Sequence, residues 1–162
     1  MTREKLLSVA IGLLLAVAAG AGILWFNRGS RMVLDCSIQK VRTQALDDAA
    51  ALVADFRVTN PSKFRYVVGR VELFADLDGN WVEGAIVADI DAKRFFDAYP
   101  AIGQKYNDTL RMREKIGMGQ SVDRMLAARF EVPESKLMSR RNLKIRIEEV
   151  DGVVTEIFEK PK

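Results

Sequence analysis

Histidine is absent from all 162 residues, cysteine occurs once and proline four times. Each scarcity excludes something. Without histidine the chain lacks the commonest general base, the commonest metal ligand and the usual axial ligand of haem. A lone Cys36 permits no disulfide within the chain, whatever the redox compartment. It reads as a small buried hydrophobe, with an intermolecular bridge as the alternative. It is not a lipoprotein acylation site, since Asp35 stands where a small residue is needed. Concentrated charge of one sign is lacking too: 29% of residues are charged, the formal net charge is +3, and both signs are interspersed. Nucleic acid usually demands a concentrated basic face and is not an expected partner. No Gly-rich phosphate loop, serine-nucleophile motif or CxxC pair occurs. No catalytic residue, metal site or cofactor is expected.

What is present begins with residues 6–26, LLSVAIGLLLAVAAGAGILWF, without charge or proline. A helix of about 21 residues rises roughly 30 Å, the hydrocarbon thickness of a bilayer. Arg3 and Lys5 precede it, Arg28 and Arg31 follow it, and Trp25 and Phe26 sit at its exit, where an amphipathic ring favours the headgroups. A cleavable signal peptide is the alternative, because Ala16-Val17-Ala18 resembles a cleavage site. A signal core runs only about 7–15 residues, however, and here the apolar run continues past any plausible cut. Residues 1–26 are therefore expected to be a short tail and a single transmembrane helix, 27–32 a juxtamembrane link, and 33–162 one exported domain. With so short a tail, the N-terminus is expected inside and the domain in the periplasm, at a bacterial inner membrane. Ser8, Gly12, Ala16 and Gly20 recur every four residues, the strip of small side chains that lets membrane helices pack closely. A homo-oligomer through that strip is one expected outcome.

From Val33 the pattern turns to period two, as in a half-buried strand. Leu34, Cys36 and Ile38 alternate with polar residues, and 44–48 breaks the pattern. Leu52, Ala54, Phe56 and Val58 alternate with Val53, Asp55 and Arg57, and Asn60-Pro61-Ser62 ends that strand. A longer run over 64–77 carries Gly69, the mark of a bulge or a close backbone approach. Asp78-Gly79 reads as a tight hairpin turn, with its return strand over 81–90. Strands are also expected over 121–132, 143–148 and 153–158, the last after Asp151-Gly152. About seven strands joined by turns, without a βαβ rhythm, make an antiparallel sandwich.

One block interrupts them. Over 91–119 a helical insertion is expected: Asp91 caps a short helix that Pro100 ends, and 104–116 forms a second. Phe95, Phe96, Tyr99 and Tyr106 there, beside Arg111 and Arg113, are the residue types enriched at binding hot spots. They are the candidate protein-interaction residues, the alternative being aromatics that plug an open end of the sandwich. Arg140, Arg141, Lys144 and Arg146 form a second basic group that would suit anionic headgroups, diluted by Glu148 and Glu149 into an ordinary solvated face. Asp76 to Asn80 begins like a calcium loop but has Trp81 at the sixth position and Val87 at the twelfth, so it reads as a turn. Asp89 and Asp91 read as strand end and helix cap. Asn107-Asp108-Thr109 fits a glycosylation sequon in a eukaryotic secretory setting.

FRVTNPS at 56–62, followed by RVELFADLDGN at 70–80, resembles extracytoplasmic sandwich families that include FxLYD and late-embryogenesis-abundant (water-stress, WHy-like) domains. Asn60-Pro61-Ser62 fits their corner; Phe74, Asp76, Asp78 and Gly79 fit their second motif. The resemblance covers about half of the domain and implies an immunoglobulin-like sandwich and no reaction. The expectation is a membrane-anchored, non-enzymatic binding or accessory subunit that contacts a partner protein. The alternative is a stress-protective sandwich held at the membrane.

Overall fold

The computed structural model describes residues 33–160 and, N-terminal to them, Val17 alone. Contacts divide the chain into two units, Met1–Arg31 and Met32–Lys162. The anchor expected over 6–26, with Ser8, Gly12, Ala16 and Gly20, lies outside the described residues except for Val17. Among the described residues no helix is long and apolar enough to cross a membrane.

The second unit is a mainly-β, antiparallel sandwich of nine strands. β1 (Asp35–Leu46) and β2 (Ala49–Thr59) form a hairpin, as do β3 (Tyr66–Leu77) and β4 (Asn80–Ile86). Helix α1 (Asp89–Ala98), a 3₁₀ turn (Pro100–Ile102) and the short strands β5 (Asp108–Thr109) and β6 (Lys115–Ile116) follow. Then come β7 (Ser121–Phe130), helix α2 (Glu134–Met138), β8 (Asn142–Glu149) and β9 (Val154–Phe158). Neighbours run β1-β2-β7-β4-β3-β8-β9, with β5 parallel to β7 and β6 beside β3. β4 joins the two layers: Asn80–Gly84 pair with β3, and Ala85 and Ile86 pair with β7. Across the opposite seam, the Leu34 backbone N–H donates to Thr155 Oγ1 at 3.1 Å.

Period-two alternation places the core. Leu52, Phe56, Leu126 and Phe130 of one layer meet Tyr66, Leu73, Ile145 and Ile147 of the other, all fully buried. The two Asp-Gly turns form as the residues dictate. Asp78 and Gly79 take φ of 58° and 90°, and Gly152 takes 91°. Gly69 marks a register shift, and a Cβ there would lie 3.1 Å from Glu149 backbone carbon, so it is both bulge and close approach.

Three expectations need correction. Val53 and Asp55 do not face solvent: Ala92, Phe95 and Phe96 of α1 pack on Ala51, Val53 and Met125, while Asp55 is held by Arg42 and Asn107. α1 also starts at Asp89, with Ala88 rather than Asp91 at its N-cap. The helix expected over 104–116 is extended chain instead. Leu110 and Ile116 both enter the sandwich core, and Arg113 takes a left-handed φ of 62°. The Leu110 N–H donates to Met125 O and the Arg113 N–H to Val68 O, at 3.1 and 2.6 Å. Those amides are satisfied by β7 and β3, which replaces the internal bonding a helix would supply.

Candidate functional site

The site begins where β4 changes partner. Gly84 is the residue that permits it, because a Cβ there would lie 2.6 Å from Phe130 Cζ. Past Gly84, β4 leaves β3 for β7, while the other end of the same β3 edge pairs with β6. Residues 69–72 of β3 are left without a strand partner on that side. The gap opens into a cavity of about 680 Å³, within the range of ligand pockets. Val71, Ile86, Val87, Leu110 and Met112 make its walls apolar. Thr109 also lines it, only 3% exposed, and its Oγ1 is buried without a hydrogen-bond partner among the described residues. That oxygen has almost no accessible surface, so the cleft offers a ligand its apolar walls rather than this hydroxyl.

The rim is charged but balanced. Glu72 is buried and receives Arg70 Nε at 2.9 Å and Arg146 Nη1 at 2.7 Å. The same carboxylate, through its hydrogen bond, raises the pKa of Arg146. Asp89 lies 3.8 Å from Arg111 and 4.0 Å from Lys105. The arrangement suits an apolar group flanked by charges of both signs. Among the described residues no three His, Cys, Asp or Glu side chains converge on a possible metal position.

A buried polar clamp holds the insertion to the sheet. Arg42 on β1 pairs with Asp55 on β2. Asp55 Oδ1 also accepts Asn107 Nδ2 at 2.9 Å, which occupies the atom a glycan would join. Arg42 Nη1 donates to the carbonyls of Ile102 and Gln104 at 2.9 and 2.8 Å. The guanidinium lies 4.9 Å from the Tyr106 ring and 5.9 Å from Phe96.

The six candidate interaction residues are therefore divided. Phe95 and Phe96 are buried and meet edge to face at 5.5 Å, with Tyr99 half-buried at 5.4 Å from Phe95. They pack α1 onto the sheet. Tyr106 is exposed under Arg42 and Lys40. Arg111 stands on the cleft rim, and Arg113 is exposed in the loop before β6. In the second basic group, Arg140 is tied to Glu159, Lys144 to Glu156 and Arg146 to Glu72. The sequence singles out neither Arg42 nor Asp55 as a buried pair, and Thr109 only as part of a sequon. The available signal was apolar residues at both parities of 50–54, which mark a strand covered on both faces.

No protein-family model matches the chain, and no curated protein matches it. Among solved structures it is similar to an uncharacterized β-sandwich protein from Clostridium difficile 630. The two are 9% identical with a TM-score of 0.43, over 79% of this chain and 86% of the other.

Proposed function

We propose that this chain is a non-enzymatic, single-pass membrane protein whose exported, immunoglobulin-like sandwich binds a partner protein in the bacterial envelope or a larger membrane complex. Residues 6–26 are the anchor, the N-terminus is cytoplasmic and the sandwich is periplasmic. The strand order supports the immunoglobulin-like assignment. β1-β2-β7-β4 follows the A-B-E-D order of such domains and β3-β8-β9 the C-F-G order. The observation that carries binding is the cleft beside β4, with its apolar walls and charged rim.

The test is pull-down of the full-length protein from membranes in mild detergent. A stoichiometric partner is expected with the wild-type chain. It should be lost with Arg111→Glu combined with Met112→Glu, both exposed on the cleft, and kept with Met138→Glu, 65% exposed on α2 and away from the lining. Absence of any partner, or a complex indifferent to the cleft pair, would overturn the reading.

A further inference from the structure

The end of the sandwich where the chain arrives from its N-terminal side gathers four separate connections. Asp35, at the start of β1, pairs with Thr59 at the end of β2, and Thr59 pairs with Ser121 at the start of β7. The Gly119 N–H donates to Asn60 O at 2.8 Å, and the Val150 N–H to Val67 O at 3.1 Å. Each connection presents a large apolar side chain to solvent: Val33 is 42% exposed, Phe64 56%, Met118 67% and Val150 55%. Apolar residues scattered singly are ordinary, but these share one end.

The charge at this end is unlike that of the basic group on β8. Lys63, Arg65 and Lys115 are exposed, and none has an ion-pair partner among the described residues. The nearby acids are largely engaged. Asp123 holds Arg57, Glu114 holds Arg124, and Glu149 accepts the Asp151 N–H. Asp35 and Asp151 remain exposed. The surface is thus apolar side chains with spare cations, the combination that binds an anionic lipid interface.

Chain length favours the same occupant. Between the span expected over 6–26 and Val33 lie only residues 27–32, which even fully extended reach about 20 Å. A tether that short turns a weak surface contact into an effectively intramolecular one.

We infer that this end of the sandwich, around Phe64, Met118 and Val150 with Lys63, Arg65 and Lys115, docks on the anionic headgroups of the bilayer; the inference rests on the anchored reading above. The experiment uses the full chain, with Cys36→Ala, reconstituted in phosphatidylcholine vesicles with and without phosphatidylglycerol. A fluorophore is placed at Met118→Cys or, at the opposite end, at Met138→Cys, and quenched by headgroup-labelled nitroxide lipid. Quenching at 118 is expected to exceed that at 138 severalfold, to grow with phosphatidylglycerol, and to fall when Lys63, Arg65 and Lys115 become Glu. Alkaline carbonate extraction, run on the same vesicles, tests the anchor by itself. Release by carbonate would overturn the anchored reading and the inference with it. A chain that resists carbonate but is quenched no more at 118 than at 138 would overturn the lipid contact alone, leaving that end to a protein partner.

Discussion

Arg42 reaches from β1 to Asp55 on β2, Nη2 to Oδ2 at 2.9 Å, with side chains only 10% and 5% exposed. The two are not opposite each other in the ladder, since Asp55 faces Lys40 and Arg42 faces Val53. The pair therefore lies diagonally across the hairpin, beneath the segment that follows α1.

Removing one partner strands the other charge in a dry site, so Asp55→Ala should cost about 3–5 kcal/mol in urea unfolding. Arg42→Met with Asp55→Leu should cost much less than the two single changes summed, because no charge is left behind. Arg42 also holds the carbonyls of Ile102 and Gln104. Amide exchange over 102–107 should therefore rise in Arg42→Met while that of β3 and β8 stays slow. Additive costs, or uniform exchange, would deny the clamp.

Asn60 should be the least replaceable polar residue of the β2–β3 corner. It is 1% exposed. Its Nδ2 donates to Phe64 O at 2.8 Å and Ile116 O at 3.0 Å. Its Oδ1 accepts the Ser62 N–H at 3.0 Å and the Ser62 hydroxyl at 2.7 Å. Asn60→Ala should lose about 3 kcal/mol by leaving buried carbonyls unpaired. Asn60→Asp should be no better, because a carboxylate would face those two carbonyls. An Asp variant as stable as wild type in thermal unfolding would contradict this.

Gly84 sets the course of β4. An added Cβ would meet the Phe130 ring at 2.6 Å and Ala128 Cβ at 2.9 Å. Gly84→Ala should cost about 1–3 kcal/mol from overpacking. Phe130→Leu, though destabilising alone, should recover part of that loss in the Gly84→Ala background. A double-mutant cycle with no coupling between positions 84 and 130 would separate the two.

What the sequence makes legible follows from burial on one face. Val58 and Phe130 alternate with the polar Arg57, Thr59, Arg129 and Glu131, of which both arginines and the glutamate are exposed, and period two reports that directly. Period two does not report the cover on the other face of β2, because it comes from α1 over Val53 and from Asn107 over Asp55, more than thirty residues further along the chain. The stretch 104–116 has helix-forming residues, yet Leu110 and Ile116 gain more from entering the core than a ragged helical stripe would. Helix α2, with Leu137 buried, links β7 to β8 along the chain and packs on β1, β2 and β3; five residues are too few to show a helical period. The cleft was not legible at all. It exists only because β4 departs from β3, and that departure depends on Gly84 fitting over Phe130.

Cys36 gives the last prediction, on reactivity and alkaline stability together. Burial pushes its thiol from an ordinary 9.0 up to about 12, against the backbone hydrogen bond at Thr59, which acts to lower it. The thiolate is the nucleophile, so the native chain should resist iodoacetamide near neutral pH and react readily in urea. The same shift sets a pH dependence. Between about 9 and 12 the unfolded chain has released a proton that the folded chain keeps. Raising pH through that window therefore favours unfolding: the thiol's contribution is intact below 9.0 and is lost as pH approaches about 12. Tyr66, raised from 10.0 by burial, acts in the same direction, so removing the thiol should reduce the slope without abolishing it. Urea unfolding followed from about pH 8 to about pH 11 should show wild-type stability falling by up to about 1.4 kcal/mol per unit more steeply than Cys36→Ala. Equal slopes, or a thiol that alkylates as fast folded as unfolded, would mean that water reaches Cys36 between β1 and β2.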